Sequence, residues 1–136
     1  MTYSVTKEFT FSAAHHLTGL PTSHPCSRVH GHNYIVKVLI ETDTLDATGF
    51  VIDYGQLDWI KRLIDTEYDH RSLNSVVNFN PTAELLAKHF HGKVLKWLDD
   101  EFNGRIFFVV VAISETAKTW ATYTNVDYVE GDLSDV

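Results

Sequence analysis

The sequence predicts an α+β domain, a four-stranded antiparallel sheet with two helices on one face, in the order ββααββ. Three observations carry this. Two alternating segments open the chain, two segments of helical period fill its middle, and two further strand-like segments follow them. The length of 136 residues supports one domain. Residues 1–126 are assigned to it. Residues 127–136, DYVEGDLSDV, hold four acids and no base and are read as an acidic C-terminal tail.

Each element has its own signal. In residues 3–14, Tyr3, Val5, Phe9 and Phe11 share one parity and Ser4, Thr6, Glu8, Thr10 and Ser12 the other, which marks a half-buried strand. Gly19, Pro21, Ser23, Pro25 and Ser27 turn 15–29 into a long loop, and a loop of that length is uncommon without a function. Residues 32–42 form the second strand, with Tyr34, Val36, Val38 and Ile40 opposite Lys37 and Glu41. Asp53 stands three residues before Gln56 in a capping-box pattern, and Leu57, Ile60, Leu63, Ile64 and Tyr68 follow at helical spacing, so a first helix is expected over 54–68. A second polar loop covers 69–80. Asn80 reads as an N-cap with Pro81 at the first helical position. Leu86, Phe90, Val94, Leu98 and Phe102 then recur until Asn103-Gly104 ends the helix. His89 and His91 flank Phe90 and are read as exposed. Residues 106–113, IFFVVVAI, are a buried strand, and 119–126 a shorter fourth one. A small sheet of this kind has open edges, which pairing with further subunits would cover.

Composition narrows the function classes. Lys and Arg number 11 against 18 Asp and Glu, a net charge of −7, which disfavours a phosphate backbone or an anionic membrane as partner. The single cysteine, Cys26, excludes an intramolecular disulfide. With no apolar run of membrane length and no leader pattern, a reducing cytoplasm is the expected compartment.

The chemistry gathers around eight histidines. In a strand, residues two apart face the same way, so His30 and His32 of His30-Gly31-His32 project together, and Gly31 leaves room for close approach. Two neutral imidazoles suit zinc, and a catalytic zinc site takes three protein ligands and keeps one position open. His15, where the first strand ends, supplies the third if the first two strands pair. An isolated pair of this kind would be read as surface histidines; the third imidazole reverses that reading. Cys26, four residues before His30, lies between Pro25 and Ser27 and not in an apolar run, so it is a candidate base, nucleophile or fourth ligand. A nearby metal ion and Arg28 would favour its thiolate. Asp69-His70 can orient an imidazole as a proton carrier. Glu115, at the end of the apolar strand, either emerges into solvent or accepts two parallel hydrogen bonds from a flat N–H pair, as on a guanidine-like or pterin ring edge. No P-loop or dinucleotide fingerprint is present.

Taken in order, the blocks FSAAHHL (11–17), CSRVHGHNY (26–34), GFVIDYGQL (49–57), DHRSLN (69–74), NPTAELLA (80–87) and SET (114–116), with Tyr123 after them, resemble the 6-pyruvoyltetrahydropterin synthase / 6-carboxytetrahydropterin synthase family over residues 3 to about 126. The Cys-x-x-x-His-Gly-His spacing resembles the carboxy branch; the pyruvoyl branch carries two more residues there, and an aldolase-like variant has Glu near the place of Cys26. The resemblance implies the tunnelling fold, an oligomeric barrel, usually hexameric, with active sites at subunit interfaces. It implies zinc on His15, His30 and His32, Cys26 as a proton-abstracting thiolate, an Asp69–His70 relay, and Glu115 on the pterin edge and in the relay. The implied substrate is 7,8-dihydroneopterin triphosphate, and the implied products are 6-carboxy-5,6,7,8-tetrahydropterin, acetaldehyde and triphosphate, on the way to queuosine and related 7-deazaguanines. His16 departs from the pattern, standing where many relatives carry Arg. The alternatives are the sister activity that releases triphosphate only, a non-catalytic pterin- or purine-binding protein, and, more distantly, a generic zinc hydrolase.

Overall fold

The computed structural model describes residues 2–125, so the acidic tail expected at 127–136 lies outside the described residues. The chain runs β1 (Tyr3–His15), a 3₁₀ turn at Pro25–Ser27, β2 (His30–Thr42), a second 3₁₀ turn at Tyr54–Leu57, α1 (Asp58–Glu67), β3 (Arg71–Ser72), α2 (Leu73–Val76), α3 (Ala83–Glu101), β4 (Phe108–Thr116) and β5 (Thr119–Thr124). The α+β class holds, with two corrections: the segment 69–80, expected as a polar loop, holds a short third helix, α2, and the sheet differs. The sheet has five strands in the order β3-β1-β2-β4-β5, and β3 pairs parallel with β1, so it is mixed and not purely antiparallel. The extra strand is two residues long and carries no alternation of its own; Ala13 and Ala14 of β1 define it by pairing with Arg71 and Ser72.

The parity read from the sequence is the parity of burial. Phe9, Phe11, Ala13 and His15 of β1, Tyr34, Val36, Val38 and Ile40 of β2, and Val109, Val111 and Ile113 of β4 are buried on one face. The β1–β2 hairpin runs in continuous antiparallel register from Tyr3↔Thr42 to His15↔His30. Against this face α3 lies over β4 and β5, and α1 lies near β1. Leu86, Phe90, Val94 and Leu98 of α3 and Ile60 and Ile64 of α1 complete the core. Phe11 stacks on Tyr34 with centroids 4.8 Å apart and touches Tyr68 and Phe90 at an angle.

Several boundaries shift for physical reasons. The capping box at Asp53 and Gln56 is formed, but it starts a 3₁₀ turn, and the α-helix proper begins at Asp58. The long helix is capped by Thr82, whose hydroxyl accepts from Leu85 N, and not by Asn80. Asn80 is engaged elsewhere, and Pro81 precedes the cap. Gly104 ends this region at φ 89, a conformation glycine adopts without strain. The strand expected at 106–113 lies at 108–116, and β5 ends at Thr124. His91 is not exposed. It is buried, with Nε2 3.2 Å from Asn125 Oδ1 and its ring edge-on to Tyr123, because β5 passes over that face of α3. His89 is half-buried and its Nε2 is hydrogen-bonded to the Tyr68 hydroxyl at 2.7 Å.

Candidate metal centre and active site

The hairpin register decides the site. His15 and His30 are directly opposed, and His32 opposes Ala13, two residues along on the same face. The three imidazoles close on one another, each offering one ligand nitrogen within 4.8 Å of the others, with ring centroids 4.6–5.0 Å apart. The expected triad is therefore assembled as the strand geometry requires.

The second ring nitrogens show how this cluster is oriented. His15 Nδ1 donates to the Pro81 carbonyl at 2.9 Å, with the Tyr34 hydroxyl 3.2 Å from the same nitrogen. His30 Nδ1 donates to the Arg28 carbonyl at 2.7 Å. A neutral imidazole that spends its proton on Nδ1 presents a lone pair at Nε2. His15 Nε2 and His30 Nε2 nevertheless lie 3.0 Å apart. Two lone pairs at that distance repel unless a cation lies between them. Tetrahedral zinc, with bonds of about 2.0–2.1 Å, would hold its nitrogens about 3.3 Å apart, close to the spacing seen. His32 Nε2 is buried without a hydrogen-bond partner; Glu115 Oε2 is 3.3 Å away but off the line a hydrogen bond needs. Burial, against the opposing pull of the Pro81 carbonyl and Glu115, holds His15 below the ordinary imidazole range and so favours the neutral form that a metal ligand requires. The group can thus hold a metal ion, and fixing the far nitrogen on a backbone carbonyl is how ligating histidines are oriented.

Asp69 and His70 form the expected pair. His70 Nδ1 and Asp69 Oδ2 are 2.8 Å apart. Both are tied to one residue of β1: Asp69 Oδ1 accepts from Ser12 N at 2.9 Å, and His70 N donates to Ser12 O at 2.6 Å. These bonds hold His70 at φ 59, a left-handed conformation that a side chain adopts only at a cost of about 1–2 kcal/mol. The Ser12 amide, and after it the His70 ring, holds the Asp69 carboxyl below the usual carboxylate range. The His70 ring itself is 81% exposed and, with Ser12, Gly31, His32 and Asn33, walls an open cavity of about 530 Å³. An added Cβ on Gly31 would meet Ala13 O at an ordinary 3.6 Å, so packing within the chain does not demand glycine there.

Cys26 and Glu115 stand on other sides of the triad. Cys26, half-buried in the 3₁₀ turn, shares a separate groove of about 390 Å³ with Arg28 and His30. Glu115, half-buried on β4, borders a recess of about 260 Å³ with Glu84, Thr119 and Trp120. The structure therefore brings His15, His30, His32 and Glu115 together, joins Asp69–His70 to them through the His32 cavity, and leaves Cys26 in a groove shared with His30. Sequence reasoning missed the Pro81 and Arg28 carbonyls, the Tyr34 hydroxyl and the Ser12 clamp. Backbone acceptors leave no side-chain signature.

Fold and site together define a class: a mixed sheet whose first hairpin buries three convergent imidazoles, with a carboxylate and an Asp–His pair beside them. The chain belongs to the 6-pyruvoyl tetrahydropterin synthase family, whose model matches residues 4–126. It is 33% identical over 128 residues to the 6-carboxy-5,6,7,8-tetrahydropterin synthase of Bacillus subtilis, an alignment covering 89% of this chain and 84% of that protein. It is similar to the structure of the Caenorhabditis elegans 6-pyruvoyl tetrahydropterin synthase, with 26% identity, a TM-score of 0.72 and coverage of 93% and 97% of the two chains. An uncharacterized Wolinella succinogenes protein shares the fold at TM-score 0.78 and 22% identity, over 93% and 99%. The resemblance read from the ordered blocks is borne out at the level of the family. Among the described residues, no helix is long and apolar enough to cross a membrane.

Proposed function

We propose that this protein is a zinc-dependent lyase converting 7,8-dihydroneopterin triphosphate and water to 6-carboxy-5,6,7,8-tetrahydropterin, acetaldehyde and triphosphate, in the biosynthesis of 7-deazaguanines such as queuosine. It acts as a cytoplasmic homo-oligomer, a hexamer. The observation that carries this reading is the convergence of three imidazoles, two with their Nδ1 protons committed to carbonyls, beside Glu115 and a cavity lined by His70 of the Asp69–His70 pair. The relative from Bacillus subtilis supports the carboxy branch, as does the Cys26-x-x-x-His30 spacing.

His15, His30 and His32 would hold zinc through Nε2, and zinc bound there supplies Lewis acidity toward the substrate's side-chain hydroxyls. The remaining steps belong to the chain. Cys26, as thiolate, takes a proton from the side chain at Sγ. His70, its Nδ1 proton fixed on Asp69, exchanges protons at Nε2 with a substrate in the cavity that His70 lines. Glu115 accepts the paired N–H groups of the pterin edge and sits close enough to His32 to join the relay. The ring is reduced from dihydro to tetrahydro as its side chain is oxidised, so no redox cofactor is required.

The test is one incubation. Zinc-loaded protein is mixed with 7,8-dihydroneopterin triphosphate and its products read by mass spectrometry, beside Cys26→Ala. Acetaldehyde and the 6-carboxy product, lost in the variant, are expected. A pyruvoyl product would move the assignment to the sister activity, a reading favoured by the likeness to the Caenorhabditis elegans structure. Unchanged substrate from folded, zinc-bearing protein would overturn both enzymatic readings in favour of a binding protein.

A further inference from the structure

Two asparagines outside the triad make an unusual contact. Asn74 Oδ1 accepts from His16 N at 2.9 Å while its Nδ2 donates to His16 O at 3.0 Å. Asn80 repeats the pattern two residues on, accepting from Thr18 N at 2.9 Å and donating to Thr18 O at 3.2 Å. Each side-chain amide thus engages the amide and the carbonyl of one residue, as a neighbouring strand would. Together they continue the edge of β1 beyond His15, where the chain has left the sheet. Between the two clamped residues, Leu17 N donates to Cys26 O at 2.8 Å. The far arm of the loop is stiffened by its own bonds. His24 Nδ1 accepts from Cys26 N at 3.1 Å, His24 O accepts from both the Ser27 amide and the Ser27 hydroxyl, and His24 N donates to Pro21 O. The loop is therefore a rigid unit, hung on the body of the protein through Leu17 and the two asparagines.

We propose that Asn74 and Asn80 are positioning residues for Cys26: their paired amides hold His16–Thr18 as a surrogate strand, and Leu17 transmits that position to the cysteine backbone. Neither amide needs to touch substrate. The part Cys26 plays in the reaction rests on the function proposed above; the clamp itself does not. Removing one amide deletes two hydrogen bonds and raises the open fraction of the loop about tenfold or more.

Cys26 is the only cysteine in the chain, so a thiol reagent reads its environment directly. The test uses full-length, zinc-loaded protein, its metal content measured, and follows the reaction rate with a disulfide reagent such as dithiobis(nitrobenzoate) in Asn74→Ala, Asn80→Ala and the double variant. About a tenfold faster rate is expected in each single variant and more in the double, with zinc content unchanged. In turnover assays kcat falls while KM stays within about twofold, since the substrate-binding groups are untouched. Asn80→Asp keeps the acceptor for Thr18 N but sets an oxygen against Thr18 O, so it behaves like the alanine variant. That comparison stands even if the double variant fails to fold. A thiol rate within about twofold of the parent in folded, zinc-loaded single variants overturns the proposal. If the parent has no lyase activity but the rates rise as stated, the clamp stands and the proposed function fails; if it turns over and the rates do not move, the reverse holds.

Discussion

One buried face of the β1–β2 hairpin contains two regions built on the same geometry with opposite outcomes. In the lower half, Phe9 faces Val36 and Phe11 faces Tyr34; in the upper half, Ala13 faces His32 and His15 faces His30. The spacing and the handedness of the pairing are unchanged along the row, and burial continues to His15 at 1% exposure. The lower half is complete within the chain, because apolar side chains need only one another and the helices above them. The upper half is incomplete: its nitrogens face each other, and His32 Nε2 has no partner. Regular strand geometry makes a core or a binding centre according to whether the row's side chains can satisfy one another.

The largest effect expected from breaking the contrast comes from His30→Ala. Zinc affinity falls by about three orders of magnitude or more, a loss of roughly 4 kcal/mol, read as metal content after dialysis against a weak chelator. The same variant, metal-free, unfolds in urea at an equal or higher midpoint than the metal-free parent, because the opposed lone pairs are gone. A lowered midpoint would show that the triad is satisfied without metal. Next comes the lower half. Phe11→Leu removes a stacked ring and costs about 1–2 kcal/mol in urea unfolding, with the zinc stoichiometry preserved. Loss of zinc there would mean that the two halves are coupled.

The smallest effect sharpens the contrast with an imidazole that does have a partner. Burial, and secondarily Lys93, holds His89 below its ordinary value of 6.5. The unfolded chain therefore binds a proton that the folded chain refuses, between 6.5 and the lower folded value. Stability is full above 6.5 and declines as pH falls through that window. His89→Gln flattens that decline, with or without zinc, in urea midpoints measured across the window. An unchanged slope would assign the decline to other groups.

Much of this was legible in the sequence because period two is a strong signal. Parity alone identified the buried faces of both strands, and pairing them brought His15 to His30 and His32. What escaped depends on contacts between distant segments. β3 is defined by the pairing of Ala13 and Ala14 with Arg71 and Ser72, next to the bonds from Ser12 to Asp69 and His70, and no local pattern announces it. Asn80 looked like a cap because Asn-Pro before a helical run is a cap signal, yet its amide is taken by Thr18 and the capping falls to Thr82. His91 looked exposed because the helix that carries it has no marker for the strand crossing above it. Asn74 and Asn80 sat inside the ordered blocks without any hint that they act on a loop some 60 residues earlier.

The carbonyl that orients His15 lies 66 residues away from it, and the carboxylate that grips Ser12 lies 57 away. Such long loops close late, since their entropy must be surrendered before the contact forms. A metal ion could therefore be held by the complete triad only once Pro81 has docked on the hairpin. A chain with its segments mispaired offers only scattered imidazoles and would hold such an ion weakly. A tightly held ion would certify that the topology is correct, and by binding only that state it would draw slow or misrouted chains toward it.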